Sequence, residues 1–189
     1  SLRTYGGVRT VFYTNLGANP IFMSFSDMYE AMNRGTVDAL GDMAIVLSNA
    51  FKLHEVAKAV YTNAPPGVHG NGGALASGFY MSQKKFNALP KDTQKMLLGL
   101  RREYGVRYAQ TLMDDESAIR KEWQAKHGVK FCDPSPEDAK FIQQAGNAAN
   151  EQMFKKQEAD GHKNVRQVWA YYLKARQKYE AERKKKVSG

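Results

Sequence analysis

Residues 20–40 read PIFMSFSDMYEAMNRGTVDAL, and they decide the fold because they contain the signals of a strand, a helix and a second strand. We predict a strand around residues 20–23, a helix that begins at an N-cap Ser26 and stops at Gly35, and a strand over residues 36–40. A strand, a helix and a strand in this order form a βαβ unit, in which the two strands run parallel. The stretch therefore predicts an α/β fold with a mixed, largely parallel sheet.

The alternation of strands and helices continues on both sides of this stretch. The other elements predicted up to residue 88 are strands at 2–4, 59–62 and 74–81, and helices at 8–16, at 42–51 and from Ser82. Residues 1–88 are therefore predicted to form one α/β domain.

The second half of the sequence is typical of long helices. Between Lys91 and Lys126 there is no proline, and apolar residues recur at spacings of three, four or seven, which predicts one helix. At about 1.5 Å per residue it would be on the order of 50 Å long, more than the width of a compact domain of this size. It must bend, most cheaply at Gly99 or Gly105, or reach beyond its own domain. The elements predicted after it are a short strand at residues 129–132, a helix from Ser135-Pro136 and a last helix after Asn164.

The composition is that of an ordinary globular protein. The 189 residues include 28 basic and 19 acidic side chains, a net charge of +9, and 42% are hydrophobic, which excludes a disordered or fibrous protein. The apolar runs, such as residues 43–47, are far shorter than the roughly 20 residues that span a bilayer, so the chain is predicted not to cross a membrane. The single cysteine, Cys132, excludes an internal disulfide and a thiolate zinc site, and beside Phe131 it is predicted to be a small buried hydrophobe.

The positive charge is concentrated at the carboxyl end of the sequence. Residues 174–186 contain seven basic and two acidic side chains, a net +5, which leaves only +4 for the rest of the chain. A net charge of +4 over the rest of the chain is too low to indicate a nucleic-acid surface over the whole fold. We therefore interpret the tail as a solvated helix end and predict no nucleic-acid partner.

Catalytic and metal-binding patterns are missing from the sequence. Its four histidines lie far apart along the chain, and none belongs to an HExxH or HxxxH pattern. No GxSxG, Walker A or strand-linked GxGxxG motif occurs, and the glycine-rich residues 65–73 lack the Lys-Ser/Thr of a phosphate cradle. We interpret that stretch as a connection between two strands whose residues could still line a cleft. No metal and no cofactor is predicted.

Three residues follow or end predicted strands at the carboxyl edge of the sheet, where α/β folds place ligands. Arg3 stands immediately before Tyr5, Gly6 and a helix start, and its planar fork of donors suits a carboxylate. It could equally be a solvated arginine near a chain end. Asp42 follows a later strand and either faces a ligand or caps the next helix. Phe25 either belongs to the core or forms the wall of a ligand cleft.

A series of short motifs occurs in a recognisable order along residues 1 to about 135. The motifs are Leu2-Arg3-Thr4, Leu16-Gly17-Ala18-Asn19-Pro20, MSFSDMYEAM at 23–32, GTVDA at 35–39, HEVAK at 54–58, and FNALPKD at 86–92 with Gln94 and Lys95. Taken jointly, they resemble the second half of DctP-type solute-binding proteins, the extracytoplasmic receptors of tripartite ATP-independent periplasmic (TRAP) transporters.

The resemblance implies a periplasmic-binding-protein-like lobe of class II, one of two α/β domains around a cleft, with a long bent helix that runs across both. It divides the chain into an α/β ligand-binding lobe at 1–88, a long bridging helix at 89–127, and a short strand with C-terminal helices at 128–189. The first half of such a receptor has no counterpart here. We therefore expect an isolated half to bind weakly or to need the missing N-terminal lobe.

The resemblance also implies a binding site. The family closes on an organic acid whose carboxylate is held by an arginine, to which Arg3 corresponds, and Phe25 corresponds to an aromatic residue that packs on the ligand body. Where the family often has a glutamate-asparagine pair, this sequence has Gly41 and Asp42, and an aspartate there prefers a hydroxyl or amine partner. The predicted ligand-binding residues are Arg3, Tyr5, Gly6, Phe25 and Asp42.

We therefore predict a periplasmic receptor, not an enzyme, that captures a small organic acid and delivers it to the membrane permease subunits of a TRAP transporter. Two other classes of protein are alternatives. An enzyme acting on an organic acid would need a base and a nucleophile or metal at one cleft. A basic nucleic-acid-associated domain would need aromatic side chains among basic ones on a folded surface. The sequence supplies neither pattern.

Overall fold

The computed structural model describes residues 1–41, 43–61 and 80–187. The strands are β1 (Leu2–Thr4), β2 (Pro20–Phe22), β3 (Ala39–Leu40), β4 (Ala59–Tyr61) and β5 (Lys130–Cys132). The α-helices are α1 (Val8–Asn15), α2 (Met28–Asn33), α3 (Ile45–Ala50), α4 (Gln83–Asn87), α5 (Lys91–His127), α6 (Pro136–Ala159) and α7 (Val165–Val187), with 3₁₀ turns at Phe25–Asp27 and Leu53–Glu55.

These residues form two compact units. The first contains residues 1–41, residue 61 and residues 132–187, and the second contains residues 43–60 and 80–131. The division at 1–88, 89–127 and 128–189 that was expected from the sequence stays a prediction. The predicted α/β class is confirmed.

The first unit is built on a three-stranded parallel sheet in the order β2-β1-β3. Arg3 on the central strand stands in register with Ile21 on one side and Leu40 on the other. Because the three strands are parallel, their carboxyl ends meet at one edge of the sheet, as the sequence predicted.

The core of the first unit lies between α1 and α6. Phe12 and Tyr13 of α1 pack with Ile142, Ala145 and Ala149 of α6, and all five side chains are buried. The three α6 residues are spaced by three and four positions, so they share one face of that helix. Packing on this face fixes α1, whose N-terminus lies at the carboxyl end of β1.

The start of α6 confirms the helix predicted from Ser135-Pro136. The Ser135 hydroxyl accepts from the backbone N–H of Asp138, and the Asp138 carboxylate accepts from the backbone N–H of Ser135. This reciprocal capping box satisfies two donors that would otherwise lack partners at the helix end.

The second unit is dominated by α5, which runs without a break over 37 residues and ends where Gly128 adopts the left-handed conformation at φ 65°. This confirms the long helix. Near its end, Trp123 is 1% exposed and donates from Nε1 to Asn49 Oδ1 at 2.9 Å. Nearer its start the exposed apolar side chains are Met96, Leu97, Leu98, Leu100, Tyr104, Val106 and Tyr108.

Two predicted boundaries around α2 are wrong. Ser26 does not cap a helix, because its hydroxyl is engaged with Ser24 and Asp27 inside the 3₁₀ turn. The strand predicted at 36–40 is only Ala39–Leu40. The N–H groups of residues 36 and 37 instead donate to the carbonyl oxygen of Ala31, where they close the end of α2.

Two further expectations are corrected by the structure. The helix predicted at 42–51 begins only at Ile45, after an extended Ala44. Cys132 is exposed rather than buried, because it ends the short strand β5. The glycine-rich residues 65–73 and most of the strand predicted at 74–81 lie outside the described residues. None of the described helices is long and apolar enough to cross a membrane.

Candidate ligand-binding site

Arg3 lies on the central strand of the sheet, β1, and is almost completely buried, with 1% of its surface exposed. Its Nε and Nη2 both donate to the backbone carbonyl oxygen of Met23, at 3.0 and 2.9 Å. Met23 directly follows β2, so the guanidinium ties the central strand to the chain leaving the neighbouring strand. The alternative of a solvated arginine near the chain end is wrong.

The remaining nitrogen of this guanidinium, Nη1, is buried and has no hydrogen-bond partner. Among the side chains that the structure describes, no carboxylate forms an ion pair with Arg3. A buried polar group left unpaired costs roughly 1–3 kcal/mol, and more when it is charged. Arg3 therefore presents an unsatisfied positive donor at the carboxyl edge of the sheet.

Aromatic rings surround the guanidinium. The Arg3 Cζ atom lies 3.9 Å from the ring centroid of Tyr5 and 5.0 Å from that of Phe25, and the two ring centroids are 4.8 Å apart. The Arg9 Cζ atom lies 5.0 Å from the Tyr5 ring. Distances below about 6 Å allow a cation to be stabilised by the ring face.

Gly6 turns the chain from β1 into α1 rather than offering a side chain to the site. Its φ is 88° and that of Gly7, the N-cap of α1, is 64°, a region that favours glycine. A Cβ atom at Gly6 would lie 3.5 Å from the ring of Phe22, which is an ordinary contact. The conformation of Gly6 places Tyr5 and the first turn of α1 beside Arg3, and the part of Gly6 in ligand binding stays a prediction.

Gly41 follows β3 at the same edge, at a position where a side chain has no space. A Cβ atom there would lie 2.7 Å from two ring carbons of Tyr13, which is buried in the core. Its backbone N–H donates to the carbonyl oxygen of Arg3 at 2.9 Å. Asp42, the next residue, lies outside the described residues.

The structure thus brings together Arg3, Tyr5 and Phe25, three of the five predicted site residues. Sequence reasoning missed the carbonyl oxygen of Met23, which carries no sequence signal, and Arg9. The position of Arg9 in the first turn of the helix that follows β1 was a signal that could have been used.

A second aromatic cluster lies in the second unit. The ring centroids of His54 and His127 are 4.2 Å apart, and that of Trp123 is 5.4 Å from His54. Lys126 donates to Glu122 and lowers the pKa of that carboxyl, with smaller contributions from the two histidines. In the parts of the chain that the structure describes, no three histidine, cysteine or acidic side chains are placed to hold a metal ion.

A parallel sheet with a buried cation at its carboxyl edge is the kind of place where α/β folds bind ligands. The sequence model of the DctP family, described as bacterial extracellular solute-binding protein, family 7, matches residues 1–157. The chain belongs to this family, which is one of solute-binding receptors and not of enzymes.

Two solved structures share the fold. A TRAP periplasmic solute-binding protein from Desulfovibrio salexigens, an open complex, is 22% identical with a TM-score of 0.70, over 95% of this chain and 53% of that one. The second is a TRAP solute-binding protein from a marine metagenome, specific for aromatic acid ligands and in complex with metahydroxyphenylacetate. It is 22% identical with a TM-score of 0.64, over 85% of this chain and 49% of that one. This chain spans about half the length of each.

Proposed function

We propose that this chain forms the arginine-bearing lobe of an extracytoplasmic receptor that captures a small organic acid in the periplasm and delivers it to the membrane permease of a TRAP transporter. Membership of the family and the likeness of the fold to two TRAP solute-binding proteins support the proposal. The partners that this function requires are the other lobe of the receptor and the permease subunits.

One observation carries the proposal: the guanidinium of Arg3 is buried, yet it has no anionic partner among the described residues. Buried charges in proteins are normally paired, because burial removes the water that would otherwise stabilise them. Among the residues that the structure describes, Arg3 has one acceptor, the neutral carbonyl oxygen of Met23. A ligand carboxylate would supply the missing negative charge.

The geometry of the guanidinium sets how the carboxylate binds. Met23 occupies the side formed by Nε and Nη2, so the remaining edge consists of Nη1 and the second N–H of Nη2. These two donors point the same way in the guanidinium plane and match the two oxygens of a carboxylate. The ligand therefore approaches Arg3 end-on.

The aromatic rings govern access and the contact with the ligand body. Because Nη1 is buried, an acid reaches it only after a covering side chain moves. Phe25 is 39% exposed and belongs to a 3₁₀ turn of only three residues, so we infer that its ring is the one that moves. It then packs on the apolar part of the acid. The acceptor role of Asp42 toward a ligand hydroxyl or amine stays a prediction from the sequence.

Native mass spectrometry first identifies any acid that co-purifies with the whole protein, meaning the receptor with both of its lobes. Calorimetry of that protein with a panel of acetate, lactate, succinate, benzoate and phenylacetate then tests the proposal. Arg3→Lys should weaken binding of the tightest acid by about 2 kcal/mol or more, because lysine keeps the charge and loses the fork. Arg34→Lys is the matched control, since Arg34 is exposed and its ion pair is with Glu30 one turn away. Equal affinity of Arg3→Lys and wild type for every acid would show that the site lies elsewhere.

A further inference from the structure

We propose that Tyr5 is a positioning residue for Arg3: its ring fixes the plane of the guanidinium, so that the Nη1 edge is set for a carboxylate before any ligand binds. The consequence for affinity rests on the function proposed above. The structural part concerns the ligand-free protein and can be measured without any acid.

Two hydrogen bonds to one carbonyl oxygen do not fix a guanidinium completely. Nε and Nη2 of Arg3 both point at Met23 O, which sets the direction of the group but leaves its plane able to turn about the line from Cζ to that oxygen. A flat surface in contact with the guanidinium face removes this freedom. The Tyr5 ring provides such a surface, since its centroid is only 3.9 Å from Cζ.

Phe25 is less suited to this task. Its centroid lies 5.0 Å from the same Cζ, farther than that of Tyr5, and its ring is 39% exposed. The contact at 3.9 Å is therefore the one that defines the plane, and the more distant ring is the one that can move.

The Tyr5 ring is itself held from several sides. It lies against Phe25 at 4.8 Å between centroids and against Arg9, in the first turn of α1, at 5.0 Å. The backbone of Tyr5 is fixed between the end of β1 and the left-handed Gly6 and Gly7. A ring fixed in this way acts on a ligand through the guanidinium that it orients, so Tyr5 contributes preorganisation rather than a direct ligand contact.

Nuclear magnetic resonance of ¹⁵N-labelled arginine side chains tests the structural part in the whole protein without ligand. The Arg3 Nε–H signal, assigned with Arg3→Lys, should exchange slowly with water in wild type and in Tyr5→Phe, which keeps the ring. It should exchange at least about tenfold faster in Tyr5→Leu, which removes the cation–π contact. Tyr171→Leu is the matched control, because Tyr171 is 76% exposed on α7.

Unchanged Nε–H protection in folded Tyr5→Leu overturns the inference, and so does rapid exchange in wild type. If Tyr5→Leu does not fold, Tyr5→Met takes its place with the same expectations. The panel acid with the lowest Kd should bind Tyr5→Leu about tenfold more weakly than wild type, and Tyr5→Phe equally well. If no acid binds wild type, the proposed function fails, while the exchange result still decides the role of Tyr5.

Discussion

The side chain of Arg3 donates two hydrogen bonds, at 3.0 and 2.9 Å, to the backbone carbonyl oxygen of Met23. This contact binds the central strand β1 to the residue that follows the edge strand β2. The same guanidinium keeps Nη1 buried without an acceptor. Arg3 therefore stabilises the sheet through one edge of its guanidinium and leaves Nη1 on the other edge without an acceptor among the described residues.

Binding of an acid to Arg3 should stabilise the fold. At an acid concentration about 100 times the Kd, we expect the free energy of unfolding of the whole protein to rise by about 2.7 kcal/mol. At that same concentration Arg3→Lys should gain less than about 1 kcal/mol, because its weaker binding leaves the site partly empty. Denaturant titrations with and without the acid measure both values. Equal gains in the two proteins would contradict a site at Arg3.

Gly41→Ala should destabilise the first unit. The new Cβ atom would lie 2.7 Å from ring carbons of the buried Tyr13, so ring or backbone must shift, at a cost of about 1–3 kcal/mol. Gly146→Ala is the matched control: its Cβ would lie 3.8 Å from Phe12, within α6, and should stabilise by up to about 1 kcal/mol. Chemical denaturation of the two variants compares them. A Gly41→Ala protein as stable as wild type would show that the Tyr13 ring moves without a loss in the free energy of unfolding.

Asn49→Ala should destabilise the second unit by about 1–3 kcal/mol, because it leaves the indole N–H of the buried Trp123 without its acceptor. Asn147→Ala serves as the control, since the Asn147 side chain accepts from Gln143 on the exposed face of α6. Its effect should stay within about 0.5 kcal/mol. Trp123 fluorescence during denaturation reports the unfolding, and equal effects of the two substitutions would argue against the Trp123–Asn49 bond.

The contact between α6 and α7 should weaken in acid. Arg166 donates to both carboxylate oxygens of Glu151 at 2.8 Å, and this lowers the pKa of Glu151 below its ordinary value of about 4.3. A carboxyl with a lowered folded-state pKa stabilises the fold above its unfolded value, and this contribution is lost as the pH falls through the folded pKa.

We therefore expect the difference in the free energy of unfolding between wild type and Glu151→Gln to be constant near neutral pH and to shrink as the pH falls below about 5. Denaturant titrations across this range measure it. Glu103→Gln, which removes an exposed pair with Arg107 within α5, should differ little from wild type throughout. A difference for Glu151→Gln that does not change with pH would mean that the ion pair is not its cause.

Short-range signals in the sequence were sufficient for most helices. The start of α6 follows from Ser135, Pro136 and Asp138, whose capping interactions join residues three apart. The length of α5 follows from the absence of proline between residues 91 and 126. These features depend on neighbours within one helical turn, so they can be predicted without knowledge of the rest of the fold.

Boundaries that depend on more distant partners could not be predicted in this way. Ser26 has the right chemistry for an N-cap, but Ser24 and Asp27 engage its hydroxyl in the folded turn. The strand at 36–40 is shortened because the N–H groups of residues 36 and 37 find the carbonyl oxygen of Ala31. Competition among partners, rather than local propensity, sets these ends.

The sequence was sufficient to place Arg3, Tyr5 and Phe25 at one edge, because parallel strands end on the same side of a sheet. It did not reveal that Met23 accepts two of the donors of Arg3, or that the guanidinium is buried with one nitrogen unpaired. Those facts depend on the strand register and on packing between residues about 20 positions apart, which are fixed only when the whole chain is folded.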